Sequence, residues 1–328
     1  MEFLDDQPCP VCGHRGSRPF HVTTYPEHRY RGAFTLRACE RCGMLFNSPR
    51  LDLEGLAQLY GRNYYFFLRK DEQEFSRIVA MYQRTMGVLD LSVLRERKSI
   101  DIGCGRGYFP AVLKKLGWDA HGIEISPDAG KYARETFGLD VFTGTIEKYA
   151  TSVHMRQFPL VTAIDVIEHV PNPDAFVYSA SKIVAPGGCL IIDTPNAFAH
   201  NIKLKGVSWK GFNPFHIYLF AAEHLEQMLA RHGMQVVQSF SYGNIPTRLD
   251  LRDRLIAGLK RAHLLRPVVS AYFTLKKMSA GGDDPAPHVD AAAKRIQTEP
   301  PYTATQDHQG VLSTTKTGDN VVVIARKP

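Results

Sequence analysis

Three groups of residues in this 328-residue chain have types and spacings that chemistry uses. The first is a pair of cysteine turns, Cys9-Pro10-Val11-Cys12-Gly13 and Cys39-Glu40-Arg41-Cys42-Gly43, separated by 26 residues. Each turn offers two thiolates, and Zn2+ takes four soft ligands in a tetrahedron, with the following glycine letting the backbone turn tightly around the ion. A structural zinc site at Cys9, Cys12, Cys39 and Cys42 is expected, against a redox or metal-free pair of turns. His14, His21 and His28 lie between the turns and read as surface residues.

The second group is Ser99-Ile100-Asp101-Ile102-Gly103-Cys104-Gly105-Arg106-Gly107, with Glu124 closing the next apolar run. Glycines after a strand let the backbone approach a ligand lying over the following helix, and an acid at the end of the second strand can accept hydrogen bonds from both ribose hydroxyls. A nucleotide-bearing cofactor follows, and a dinucleotide is one candidate. The third group is Asp165, Glu168 and His169 together with the distant His216. A neutral imidazole can take a proton from a hydroxyl, or order its own loop. Two carboxylates with two imidazoles can instead hold Mg2+ or a similar ion. Glu168 and His169 can also form a helix-start network supporting a pocket floor. Cys104 and Cys189, in apolar strand contexts, read as small core residues.

The elements that must position these groups alternate. Helical spacing of Phe75, Ile78, Val79, Tyr82, Met86 and Leu89 predicts a helix over 72–94. Gly117 closes a helical run after the glycine loop. Ser126-Pro127 reads as an N-cap with proline at the first helical position, and Gly138 as that helix's stop. Strand-like runs follow at Ala120–Ile123, Asp140–Phe142, Leu160–Ile164, Cys189–Ile192, Met234–Val237 and Asn320–Ala325. Such alternation predicts a mostly parallel sheet covered by helices on both faces.

In this order the motifs carry a resemblance. Asp101 to Gly107, D-x-G-C-G-x-G, resembles motif I of class I S-adenosylmethionine-dependent methyltransferases. Asp165 to Val170 resembles the D/E-x-x-E-H-V element of methyltransferases that include ubiquinone-biosynthetic and sugar enzymes. Ala185-Pro186-Gly187-Gly188 and Thr194-Pro195-Asn196 match the approach to their fifth strand, and His216 with Phe220 their H-x-x-x-F element. Cys42 to Arg50 and Tyr64-Tyr65 resemble the zinc-binding domain fused to methyltransferases of saccharide biosynthesis. The resemblance covers the chain except about 243–318.

It implies an α/β class fold, a Rossmann-like, doubly wound, seven-stranded sheet with the last strand antiparallel, and a small N-terminal zinc-ribbon module. It implies S-adenosylmethionine held by Asp101, Gly103, Gly105, Gly107, Glu124, Ile125, Thr145, Ile146 and Asp165. Many relatives carry an acid where Thr145 stands, so backbone and apolar contacts are expected there. His216 and His169 are the catalytic candidates. The Mg2+ reading resembles the site of ubiquinone-type and small-RNA 2′-O-methyltransferases, which carry glutamate where Asp165 stands.

The expected organisation is a zinc module over 1–50, a helical linker or lid over 51–95, and a methyltransferase domain over 96–328 with an insert at 243–318. Within the insert, 248–277 is basic and amphipathic, reading as a lid or as contact with a membrane surface or lipid-linked substrate. Residues 279–319 read as a flexible loop.

Lys and Arg outnumber Asp and Glu by 40 to 33, a net +7 that suits an anionic substrate or surface. With 44% hydrophobic and 22% charged residues, wholesale disorder is excluded. No run is long enough to span a bilayer and Met1 to Asp6 does not read as a secretory signal, so a cytoplasmic protein is expected, with peripheral contact at the inner membrane face as an option. The region between the cysteine turns lacks a dense basic and aromatic surface, which disfavours nucleic acid. The expected reaction is O-methylation of a saccharide or saccharide-linked intermediate. The alternatives are a quinone or small-aromatic O-methyltransferase and an RNA-binding zinc-ribbon methyltransferase.

Overall fold

Short runs of apolar and β-branched residues punctuated by left-handed glycines generate three sheets, of two, four and seven strands. The computed structural model describes residues 3–4, 7–24, 33–51, 94, 96–205, 209, 211–243 and 317–328. The expected helix over 72–94 apart from residue 94, Tyr64-Tyr65, His28 and the insert over 244–316 lie outside the described residues.

At the N-terminal end, β1 (Phe3–Leu4) pairs antiparallel with β5 (Arg50–Leu51). Between them β2 (Ser17–Thr24), β3 (Ala33–Cys39) and β4 (Leu45–Asn47) form an antiparallel meander.

The main sheet begins with β6 (Lys98–Ile102), followed by α1 (Tyr108–Lys115), β7 (Asp119–Glu124), α2 (Pro127–Phe137), β8 (Asp140–Thr143), α3 (Ile146–Ala150) and β9 (Phe158–Ile164). A 3-10 turn (Ile167–His169), α4 (Pro173–Ile183), β10 (Val184–Pro195) and α5 (His200–Lys205) come next. The chain continues through β11 (Tyr218–Leu219), α6 (Ala222–Arg231), β12 (Gln235–Tyr242) and β13 (Asn320–Arg326).

The seven strands lie in the order β12-β13-β10-β9-β6-β7-β8. The pairs from β10 to β8 are parallel, and β13 runs antiparallel to both β10 and β12. The expected α/β sheet with its reversed last strand is present. The chain leaves β6 toward β7 on one side and later crosses to β9 on the other. A crevice therefore forms outside the carboxyl ends of β6 and β9, where open α/β sheets bind ligands.

Local signals explain the boundaries. Ser126 Oγ accepts from Ala129 N–H at 3.3 Å, Pro127 opens α2, and Gly138 closes it at φ 60°. One face of the sheet packs on α4 and α6 through Phe176, Val177, Leu225 and Met228; the other packs on α1 and α2 through Phe109, Leu113 and Ala133.

Cys104 is a buried core residue as expected, although it lies in the loop after β6 and not in a strand, its sulfur filling the space beside Gly122. One expectation is corrected. His21 is not simply a surface residue, because its ring stacks on Phe212 with centroids 5.4 Å apart.

Candidate active site

The glycine loop is shaped first by the protein's own packing. Gly103 has φ 74°, and a Cβ there would lie 2.5 Å from Val166 Cγ2. Gly107, at φ 79°, would place a Cβ 2.7 Å from both Ala133 Cβ and Leu139 Cδ1. Two of the three glycines thus answer to the exit loop of β9 and to α2 with Leu139 just beyond it, and Gly105 (φ 55°) turns its N–H onto Glu124 Oε2 at 2.7 Å. Glu124 Oε1 accepts from Ser126 N–H at 2.7 Å. An ionised carboxylate has about four lone-pair positions, so these two bonds orient Glu124 and leave acceptors for hydroxyls. Burial raises its pKa against the pull of the backbone N–H groups of Ser126 and Gly105.

Asp101 is buried, and Thr162 Oγ1 donates to its Oδ1 at 2.6 Å. Burial pushes its pKa up to about 7, Thr162 opposing and Glu124 adding repulsion. Beside Glu124, Ile125 is 70% exposed, an apolar side chain at a strand end where a flat apolar group can lie. At the next strand end Thr145 caps α3 with its hydroxyl, accepting from Lys148 N–H at 3.4 Å, while Ile146 is buried. These residues line the carboxyl ends of β6, β7 and β8, a setting that fits a nucleoside.

The histidine cluster is built by two turns. Asp165 alone among the described non-glycine residues has positive φ, 52°, a conformation aspartate tolerates. Its N–H donates to Asp193 O at 2.9 Å, and its Oδ1 faces Asn320 Nδ2 at 3.4 Å. The chain then enters the 3-10 turn that carries Glu168 and His169. The second turn is made by Asn213, whose Oδ1 accepts from the N–H groups of Phe215 and His216, each at 3.0 Å. An asparagine before proline favours such a turn.

The two imidazoles come together with ring centroids 4.9 Å apart. His169 Nδ1 lies 2.9 Å from Phe215 O, and His216 Nδ1 lies 3.0 Å from Gly211 O. A carbonyl only accepts, so both Nδ1 atoms carry the hydrogen and both Nε2 atoms present lone pairs. Burial holds both rings' pKa below the ordinary histidine value, well below it for His216, which also feels His169.

Glu168, fully buried, accepts from Thr194 Oγ1 at 2.8 Å, while its Oε1 has no hydrogen-bond donor and lies 3.5 Å from His169 Nε2. Burial and repulsion from Asp165 push its pKa well above the usual carboxylate range. Ligand atoms of Glu168, His169 and His216 all lie within 4.8 Å of one another; Asp165 stays outside that set. Three converging acceptors with no donor among them suit a cation or a shared proton. The glutamate's bond to Thr194 ties the 3-10 turn to β10.

The four cysteines converge as spaced. Cys9 and Cys42 sulfurs are 3.5 Å apart, Cys12 and Cys39 sulfurs 3.6 Å, and all four lie within 4.8 Å. A tetrahedral ion with roughly 2.3 Å metal–sulfur bonds needs sulfurs roughly 3.8 Å apart, so the cluster fits. Gly13 and Gly43 take φ 69° and 75° as the turns require. Burial pushes the Cys9 thiol up to about 11. A bound cation would reverse that preference.

Sequence reading missed how the cysteine module joins this site. β4 pairs antiparallel with β11, making one four-stranded sheet of β11-β4-β3-β2. Asn47, Arg50 and Tyr218 all belong to the junction. The only signal for them was that Asn47 and Arg50 fall within the Cys42–Arg50 motif.

Among known proteins, the family described as a methyltransferase domain matches residues 71–239. A ubiquinone biosynthesis O-methyltransferase from Methylococcus capsulatus is 31% identical over 143 residues, covering 42% of this chain and 54% of that protein. The mitochondrial ubiquinone biosynthesis O-methyltransferase of Arabidopsis thaliana is 36% identical over 171 residues, covering 48% and 53%. The chain spans about half the length of these curated relatives. A SAM-dependent methyltransferase structure from Archaeoglobus fulgidus superposes with TM-score 0.49 at 18% identity, covering 81% of this chain and 100% of that one.

Proposed function

The chain belongs to the methyltransferase-domain family, and from that premise we propose that it transfers a methyl group from S-adenosylmethionine to a hydroxyl of a small ring-bearing acceptor, with a phenolic, quinone-precursor type acceptor favoured. The cofactor supplies an activated methyl group. Glu124 would accept from its ribose hydroxyls, Asp101 and the 103–107 loop would line the methionine side, and Ile125, Thr145 and Ile146 would flank the base. Asp165 would close the site beside the reacting centre. The hydroxyl proton goes to His216 Nε2.

One observation carries the choice of acceptor: burial holds both histidines' pKa below the ordinary value, and each Nδ1 is engaged by a backbone carbonyl, which leaves Nε2 as the basic nitrogen. Bases weakened in this way match a phenol, with a pKa of about 10, better than an alcohol, whose acidity is nearer that of water at about 15.7. The ubiquinone-biosynthetic relatives support the same class of acceptor.

A saccharide acceptor remains the second reading, supported by the resemblance of the Cys42–Arg50 motif to saccharide-associated zinc domains. A cation held by Glu168, His169 and His216 would acidify either hydroxyl. Two imidazoles and one carboxylate suit Mn2+, Fe2+ or Zn2+ better than Mg2+. At the four cysteines we place Zn2+ in a structural role. No helix among the described residues is long and apolar enough to cross a membrane.

The test is methyl transfer from labelled S-adenosylmethionine to a panel of catechols and of nucleotide-linked sugars, with His216→Asn alongside. Turnover of catechols that falls at least about 100-fold in the variant supports the proposal. Turnover of sugars alone moves it to the second reading, and no transfer to either class refutes it.

A further inference from the structure

We propose that the cysteine module is a clamp on the reaction centre, with Asn47 as the positioning residue that sets where His216 stands; the inference rests on the reading of His216 above. The ribbon does not hang from the catalytic domain. It holds the loop that carries the histidine at successive points.

Phe20 and His21 of β2 pack on Phe212, the first edge-on with centroids 6.3 Å apart, the second stacked at 5.4 Å. Four residues on, Asn47 Nδ2 donates to His216 O at 2.9 Å and Asn47 N–H donates to Ile217 O at 2.9 Å. The ladder then continues with Tyr218 opposite Phe46 and Leu219 opposite Leu45. His216 is thus held just before the ladder begins, by the side chain of the residue that ends β4.

The same junction reaches the other histidine. Arg50 donates to Tyr218 Oη and lies over its ring at 5.4 Å, and Tyr218 Oη donates to Pro171 O at 3.2 Å, two residues past His169. His169 in turn donates to Phe215 O, next to His216.

The far side of the module is fastened at the cysteine turns themselves. On α6, His224 Nδ1 accepts from Ala221 N–H at 3.0 Å, so its Nε2 carries the hydrogen and donates to Cys42 O at 2.9 Å. Seven residues on, Arg231 donates to Val11 O while also bonding Asp174 at 2.7 Å. One helix face therefore grips a backbone carbonyl from each cysteine turn. If the cysteine turns lose their shape, Cys42 leaves its helix contact, β4 lies three residues away, and Asn47 ends that strand.

Asn47 is 4% exposed and, among the described residues, its Oδ1 has no partner and its one side-chain hydrogen bond is the one to His216. Asn47→Asp preserves shape and the backbone N–H but replaces the donor with an oxygen facing the His216 carbonyl. The experiment uses the full chain, 15N-labelled at histidine, with the His216 ring signals identified by their absence in His216→Asn. S-adenosylhomocysteine affinity and metal content are measured on the same samples.

The expected result is a folded Asn47→Asp chain with unchanged metal content and unchanged S-adenosylhomocysteine Kd, but with shifted His216 ring-nitrogen signals. With an acceptor in hand, kcat falls about 100-fold, the scale of a 1 Å misplacement. Should Asn47→Asp not fold, Asn47→Ser, too short to reach the carbonyl, takes its place. Unmoved His216 signals in a folded variant overturn the clamp. Failure of the wild type to bind S-adenosylhomocysteine would count against the methyltransferase reading instead, and the ring signals would still judge the clamp.

Discussion

Replacing Gly103 by alanine separates two reasons for a glycine in a cofactor loop. At φ 74° an alanine costs about 1–2 kcal/mol in the left-handed region. Its Cβ would also sit 2.5 Å from Val166 Cγ2, a clash that must push the exit loop of β9 and costs about 1–3 kcal/mol more. Gly103→Ala should therefore lose about 2–5 kcal/mol. In Val166→Ala the two γ-methyls go and the nearest remaining Val166 atom is Cβ at 3.6 Å, ordinary contact. The double variant should recover the steric part, leaving a favourable coupling of about 1–3 kcal/mol. Urea unfolding of the four chains measures this through the midpoint at constant slope. Purely additive losses would refute the packing argument and return Gly103 to close ligand approach.

Asp101→Asn should flatten the pH dependence of stability. With the folded pKa at about 7 against about 3.9 unfolded, the native state retains the proton, so stability is lost as pH rises from about 4 through 7, by about 4 kcal/mol for this buried group. Asparagine keeps the acceptor for Thr162, so thermal unfolding should favour the variant increasingly toward about pH 8; parallel profiles for the two chains would sink the idea. Cys42→Ser should abolish the zinc binding proposed at the four cysteines. Because about 10 kcal/mol or more of metal binding is folding energy in such sites, amides of β2 to β4 should then exchange freely while β6 to β10 stay protected. Retained metal and protection would count against four-thiolate ligation.

The catalytic half was legible because its signals are local. Ser126-Pro127 and Gly138 bracket α2, and Glu124 ends β7 as expected, since capping and turn chemistry act within a few residues. Strand limits were less so: Cys189–Ile192 proved to be the middle of β10, which runs from Val184 to Pro195 through the glycine pair. The histidine cluster was partly legible, since the spacing brought Glu168 and His169 together, yet Asp165 was directed elsewhere by its left-handed backbone. What stayed hidden is the junction. Asn47 meets His216 and Arg231 meets Val11 across 169 and 220 residues. Periodicity reports which face of an element is buried, and says nothing of which distant element covers it.

Glu124 ends β7 and accepts from Gly105 of the glycine loop, so a binding titration with and without its carboxylate tests the proposed cofactor site. Calorimetry of the wild type with S-adenosylhomocysteine, with NADH as control, should show binding of the first alone. Glu124→Ala should weaken it by about 10-fold or more, the loss of a hydrogen-bonded charged acceptor at about 1.5–3 kcal/mol. Preference for NADH, or S-adenosylhomocysteine binding indifferent to Glu124, would contradict it.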